Sequence, residues 1–267
     1  MPISDDSVLH NSVFRDSVLR RYVAENRAPD SAWERYASFF LNPEVQENIR
    51  AQTEGQLQGE FTAKLFGEVL GYTLAPEKDH QIVREVKSMV GAKSADAAIF
   101  RNGAVFAVIE LKDTRTTDLD QVETQAFGYK HAHRHVRFVI TSNFERLRFY
   151  VDNTLDFIEF DLFRLTRNGF SLLWLILSKE AFLDRDLPAL LYNESRSNEL
   201  SITEKFYADY SAFKRELFND ILTRNGSGRP ETDKILLFRK TQKLIDRFIF
   251  VLFCEDRGLL PLNTIES

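Results

Sequence analysis

A break at Arg101-Asn102-Gly103, with a turn-like Asn-Gly step, separates two apolar runs, 94–100 and 104–112, and constrains the fold of this chain more than any other feature. An Asn-Gly step between such runs predicts a β-hairpin, because both residues tolerate the positive φ angles of a tight turn. The second run begins Ala104-Val105-Phe106-Ala107-Val108-Ile109, continuously apolar, as in a strand buried on both faces. It then ends in Glu110-Leu111-Lys112, and the first run carries Asp96. The hairpin therefore brings Asp96 near Glu110 and Lys112. Charges beside a core are costly unless something compensates them. Two carboxylates can hold a hard divalent cation, and an ammonium beside it can orient or activate a water. That combination suits phosphodiester hydrolysis. Strands also end in charged residues by chance, and Glu-x-Lys triplets are common. The triplet draws its weight from the buried strand, the acid on the facing run and the segments that follow.

Around the hairpin the periodicity alternates between helix and strand. Residues 12–50 have helical spacing through Trp33, Tyr36, Phe39 and Phe40, which serve as core residues, and Pro43 opens a further helix. Residues 54–70 form an amphipathic helix with Gly71 as its C-cap. Strands follow at 81–87, 95–101 and 104–112, a helix at 119–133, then strands at 137–141, 147–151 and 155–161, with 142–145 as a turn. A strand–helix–strand crossover implies an α/β fold with a mixed central sheet flanked by helices. After about residue 162 strand signals stop, and 170–184, 201–223 and 233–257 have helical periodicity. The expected division is an α/β region over 1–165 and an all-helical region over 166–267. Tyr207, Tyr210 and Phe213 in the helical region are expected to pack, and Gly258 to cap the last helix.

Composition narrows the setting. A single cysteine, Cys254 in an apolar run, excludes an internal disulfide and a multi-cysteine zinc site, and is expected to be a buried thiol. The N-terminus lacks the basic and apolar regions of a signal peptide, and the apolar stretches near 172–177 and 248–254 are too short to span a bilayer. A cytoplasmic protein that makes no membrane contact is expected. The net charge of -5 does not mark a nucleic-acid binder. Charge is local instead: Lys130, Arg134, Arg137, Arg146 and Arg148 follow the hairpin against one acid, Glu145. His131, His133 and His135 alternate within this stretch, and are expected to lie in a polar helix end or loop near phosphate rather than to ligate a metal.

Asp96, thirteen intervening residues and then Glu110-Leu111-Lys112 resemble the active-site motif of the PD-(D/E)xK nuclease superfamily. Gln125-Ala126-Phe127-Gly128-Tyr129 is similar to the Gln-x-x-x-Tyr motif of one branch, and Gln125 and Tyr129 share a helix face. Glu60, with Glu54 and Gln56 as rivals, matches the acid that some members carry on the preceding helix. Ala95 stands where a proline often precedes the first acid. More of the chain resembles the nuclease domains of type I and type IIG restriction enzymes: Phe138-Val139-Ile140-Thr141-Ser142-Asn143 with Arg146-Leu147-Arg148-Phe149-Tyr150, then Phe160-Asp161-Leu162 and 172–177. Residues 244–261 resemble the helical connector of type IIG enzymes, which leads into an adenine methyltransferase; no Asn-Pro-Pro-Tyr motif or glycine-rich cofactor loop is present here.

The resemblance implies a restriction-endonuclease-like core over 1–165 and a connector over 166–267. It implies a Mg²⁺-dependent endonuclease acting on double-stranded DNA, with Mn²⁺ as a substitute, and methyltransferase and target-recognition domains following this segment. Asp96, Glu110 and the Leu111 carbonyl would hold the metal and Lys112 would position the attacking water. Glu60, Gln125 and Tyr129 would be accessory, and Lys130, Arg134 and Arg137 would meet DNA. A nuclease fold that grips DNA without cutting and a repair-type nuclease are the alternatives. The intact acids and lysine favour an enzyme, and the connector-like segment favours restriction over repair.

Overall fold

Seven strands form one sheet: β1 (Val8–Asn11), β2 (Ile82–Lys87), β3 (Ser94–Arg101), β4 (Ala104–Leu111), β5 (Phe138–Ser142), β6 (Arg146–Val151) and β7 (Phe157–Asp161). This computed structural model describes residues 5–87, 94–132, 136–224, 230–257 and 259–260. The strand order is β1-β7-β6-β5-β4-β3-β2. Only the β4–β5 pair is parallel. Antiparallel neighbours can be joined by tight turns, whereas β4 and β5 need a crossover, supplied by α5 (Asp120–Ala132). The α/β architecture expected from the sequence is present.

The hairpin turn has the predicted geometry. Asn102 and Gly103 adopt φ of 53° and 78°, and Arg101 pairs with Ala104 across the two-residue loop. A bulge then shifts the register, from Phe100↔Val105 to Ile99↔Ala107. Phe106 and Ala107 consequently both turn toward the larger core. The bulge decides which way Glu110 points. Asp96 shares the face under α5 with Ala98 and Phe100; the register at the turn would set it against Ile109 and send Glu110 into the larger core, and one extra residue on β4 sets it against Glu110 instead.

The two faces of the sheet differ. One is covered by α1 (Asp16–Glu25), α2 (Asp30–Phe40), α3 (Pro43–Ala51), α4 (Glu54–Phe61) and α6 (Arg167–Leu177). Its core is aromatic: Phe138 and Phe149 stack at 5.4 Å, and Phe182 packs edge-on against both. The other face lies under α5, where Ala98, Val108, Val139 and Tyr150 pack with Ala126 and Phe127. α4 continues into a π-helical segment, Thr62–Val69, and Gly71 at φ 84° ends it. Pro43 opens α3, with the Asn42 side chain accepting a bond from the Glu44 amide. β1 was not expected; it is short, its residues are mixed in polarity, and it exists through edge pairing with β7.

The chain divides into two compact units, Met1–Arg196 and Ser197–Ser267. The first runs past residue 165 because α6 buries Phe170, Leu173, Leu175 and Ile176 in the larger core. The second holds the remainder of α7 (Leu187–Arg224) and α8 (Glu231–Asp256). There Phe218 packs edge-on against Phe238, Tyr210 donates to Asp246 at 2.7 Å, and Cys254 is buried as expected. Tyr207 and Phe213 are exposed rather than packed, because the unit is a helix pair with too few layers to cover every face. Gly258 lies outside the described residues. Among the described residues no helix is long and apolar enough to cross a membrane.

Candidate active site

Sheet register sorts the side chains of the α5 face into rows. Ala98, Val108, Val139 and Tyr150 form the apolar row beneath the helix. The next row toward the strand ends is polar: Asp96, Glu110, Thr141, Arg148 and Glu159. One step further, β6 and β7 pair Arg146 with Asp161, and Lys112 follows Glu110 by two residues on the same side of β4. Leu111, between them, points the other way into the larger core.

Asp96, Glu110 and Lys112 do converge. Asp96 Oδ2 accepts a 2.7 Å bond from the Leu111 amide, at the end of the hairpin ladder. Asp96 therefore also has a structural duty. Lys112 Nζ donates to Glu110 Oε1 at 3.1 Å and to the Leu111 carbonyl at 3.0 Å. Its third neighbour is Glu54 Oε1 at 3.5 Å. Glu54 stands in the first turn of α4, where Thr53 and Gln56 form a capping box and the helix dipole favours an acid. Of the acids weighed for the helix, Glu54 is thus the one near the site. Glu60 is exposed and is not brought to it: six residues along an α-helix turn it well away from Glu54.

Glu110 is 1% exposed, and its Oε2 is buried without a hydrogen-bond partner among the described residues. Burial, and then the negative charge of Asp96, push its pKa up to about 7; Lys112 offsets only part of this. Burial acts to lower the Lys112 pKa, but Glu110, Glu54 and Asp96 outweigh it and hold the ammonium above its ordinary value. Lys112 is therefore a charged donor here, not a free base. No group of three or more His, Cys, Asp or Glu among the described residues is pre-assembled as a metal cage. The oxygens of Asp96, Glu110 and Leu111 nevertheless suit a Mg²⁺ ion, which takes one or two carboxylates and keeps several waters. The unpartnered Glu110 Oε2 is a ready donor for it.

Residues 77–156 match the family model of the type I restriction enzyme R protein N terminus. The match supports a restriction-enzyme nuclease-type domain. The matched segment contains β2 to β6, α5 and all three converging groups. No curated protein and no solved structure matches the chain.

The other expected residues fare differently. α5 carries Gln125 and Tyr129, but their side chains lie outside the described residues, as do Arg134, His133 and His135. Lys130 and Arg137 are not brought to the site. Because β4 and β5 run parallel, Arg137 precedes the far end of β5, five residues and roughly 16 Å from Ser142 beside the site. There Arg137 makes a two-pronged bond to Asp152 at 3.0 and 2.8 Å, and Lys130 donates to the Asp152 carbonyl. Burial, reinforced by Arg137, holds Lys130 below its ordinary pKa. Sequence reasoning missed Arg148 and Glu159 as members of the polar row. Arg148 bonds Glu159 and Asp120, and its guanidinium lies over Phe157 at 4.7 Å. Their alternation with core aromatics was visible in the sequence; their alignment with Glu110 required the register.

Proposed function

We propose that this chain carries a Mg²⁺-dependent endonuclease that hydrolyses DNA phosphodiester bonds in a restriction–modification system. The observation that carries the reading is the convergence of Asp96, Glu110 and Lys112 inside the segment matching the restriction-enzyme family model. Asp96, Glu110 and the Leu111 carbonyl would hold Mg²⁺, or Mn²⁺ in its place. The bound ion would polarise the phosphodiester and lower the pKa of water. Lys112, held as an ammonium by its carboxylate neighbours, would hydrogen-bond the attacking water and offset negative charge developing on the phosphorane. Glu54 would keep Lys112 oriented from the α4 side. Tight burial around Glu110 excludes bulk water and strengthens these electrostatic effects. The finer reading is a type IIG-like enzyme. In it residues 1–165 are the nuclease domain and 166–267 a connector, and methyltransferase and target-recognition domains act with the chain as partners.

The test is cleavage of plasmid DNA in Mg²⁺ by Asp96→Asn, Glu110→Ala and Lys112→Ala proteins, with circular dichroism as the folding control. Asn at 96 keeps an acceptor for the Leu111 amide. Each variant should lose at least ~10²-fold in rate, the scale of removing one transition-state-stabilising group. Calorimetry should also show weaker Mn²⁺ binding by Asp96→Asn. Cutting at the wild-type rate by a folded Glu110→Ala protein would refute the assignment.

A further inference from the structure

The sheet end that bears Glu110 and Lys112 is ringed by arginines. Four of them each face a carboxylate: Arg50 with Glu145 at 3.1 Å, Arg115 with Asp113, Arg146 with Glu159 at 3.6 Å, and Arg164 with Asp161 at 3.8 Å. The backbone ties these groups to one another and to the site. The Lys112 amide donates to Ser142 O, Asn143 donates to Thr116 O, and the Leu162 amide donates to Glu145 O. Arg115, Arg146 and Arg164 therefore sit on segments anchored at the same end of the sheet, and Arg50 reaches it from α3 through Glu145.

These pairs are layered. In all four the guanidinium is the outer member, 47–83% exposed, and the carboxylate the inner one, 6–32% exposed. At the opposite end of the sheet, Arg137 and Asp152 are equally exposed, at 40% and 41%. Asp120 runs counter to the layering, since its partner Arg148 is the buried member of that pair. A ligand approaching these four pairs thus meets their cations first, although carboxylates lie beneath them. Glu159 keeps Arg148, Asp161 the Phe163 amide and Asp113 the Arg115 amide as partners, and Glu145 is itself 32% exposed, so a guanidinium can turn outward to a stronger acceptor without stranding its acid. A phosphate offers bidentate, charge-assisted hydrogen bonds. The span also fits. From β4 to β7 is three inter-strand steps, ~14 Å, close to the ~12 Å width of the DNA major groove.

We infer that Arg115, Arg146 and Arg164, with Arg50, form the surface that grips the phosphates of duplex DNA around the site, and that Lys130 and Arg137 do not. The inference rests on the nuclease reading for its substrate class and adds the face by which that substrate is held. The inner acids pre-position the arginines, and contact with phosphate gives affinity without sequence preference.

Fluorescence anisotropy with a random-sequence duplex, in EDTA and across a salt series, tests it. The Arg115→Ala, Arg146→Ala, Arg164→Ala triple variant should bind at least ~10-fold more weakly at low salt. Its slope of log affinity against log salt should be flatter by about two to three units, near 0.9 per lost phosphate contact. The corresponding triple lysine variant keeps the charge and should retain most of the affinity; it also guards against misfolding as the cause. The Lys130→Ala, Arg137→Ala protein should bind as wild type does. An unchanged slope in the triple alanine variant, failure of the wild type to bind duplex at low salt, or equal competition by polyglutamate would each overturn the inference. Cleavage in Mg²⁺ is scored separately. Wild-type protein that binds through the arginines but never cuts would sink the catalytic reading and leave this surface standing.

Discussion

On one face of β4, Ala107, Ile109 and Leu111 enter a core closed by five helices; on the other, Val108 packs beneath α5, and Glu110 and Lys112 continue the strand as charged groups. Neighbouring residues at similar depth thus do opposite work. The core face is stabilised by burying aromatic surface, where any lost volume leaves a cavity. The α5 face gives up apolar packing within one row and holds a buried carboxylate that the fold makes costly to ionise. A strand buried on both sides can therefore support a reactive end, because the face behind it supplies the stability that the site spends.

Three measurements can break or sharpen this contrast. The largest effect should come from the core face. Phe149 is fully buried against Phe138 and Phe182, so Phe149→Ala should cost about 3–5 kcal/mol in urea unfolding. A loss under 1 kcal/mol would mean that this face does not carry the fold.

The second effect has the opposite sign. Folding raises the Glu110 pKa from 4.5 to about 7, so the fold favours the protonated form. The stability this brings is complete below pH 4.5 and is lost as pH rises through 7. A shift of this size corresponds to about 3 kcal/mol. In EDTA, Glu110→Gln should therefore be more stable than wild type at pH 8 by up to that amount, and no more stable near pH 4.5. A difference that stays flat with pH would remove Glu110 as the titrating group.

The smallest effect belongs to the far end of the sheet. Arg137→Ala breaks a half-exposed pair with Asp152 and should change stability by no more than about 1 kcal/mol, less at high salt. A larger loss, insensitive to salt, would show that Arg137 acts through packing on Phe138, over whose ring it lies at 5.7 Å.

Much of the site was legible because it is local. Asn102-Gly103 specifies its own turn through the conformations these residues tolerate, and the apolar runs beside it specify strands through burial. Asp96, Glu110 and Lys112 could be grouped from the hairpin alone. Pro43 and Gly71 marked helix boundaries for similarly local reasons.

What tertiary structure decided were relations between distant segments. Whether Glu110 met Asp96 or entered the core depended on a one-residue bulge at Phe106, which answers to packing on both faces rather than to any turn signal. Whether the basic stretch met the site depended on the parallel pairing of β4 with β5. That pairing carried Lys130 and Arg137 to the opposite end and left Arg146 and Arg148 at the same end of the sheet as Glu110. The approach of Glu54, rather than Glu60, followed from where α4 begins against the sheet. Sequence fixes a side chain's place along its own element, through a period of two or of 3.6 residues. Only packing sets the register between elements, and a shift of one residue exchanges core for site.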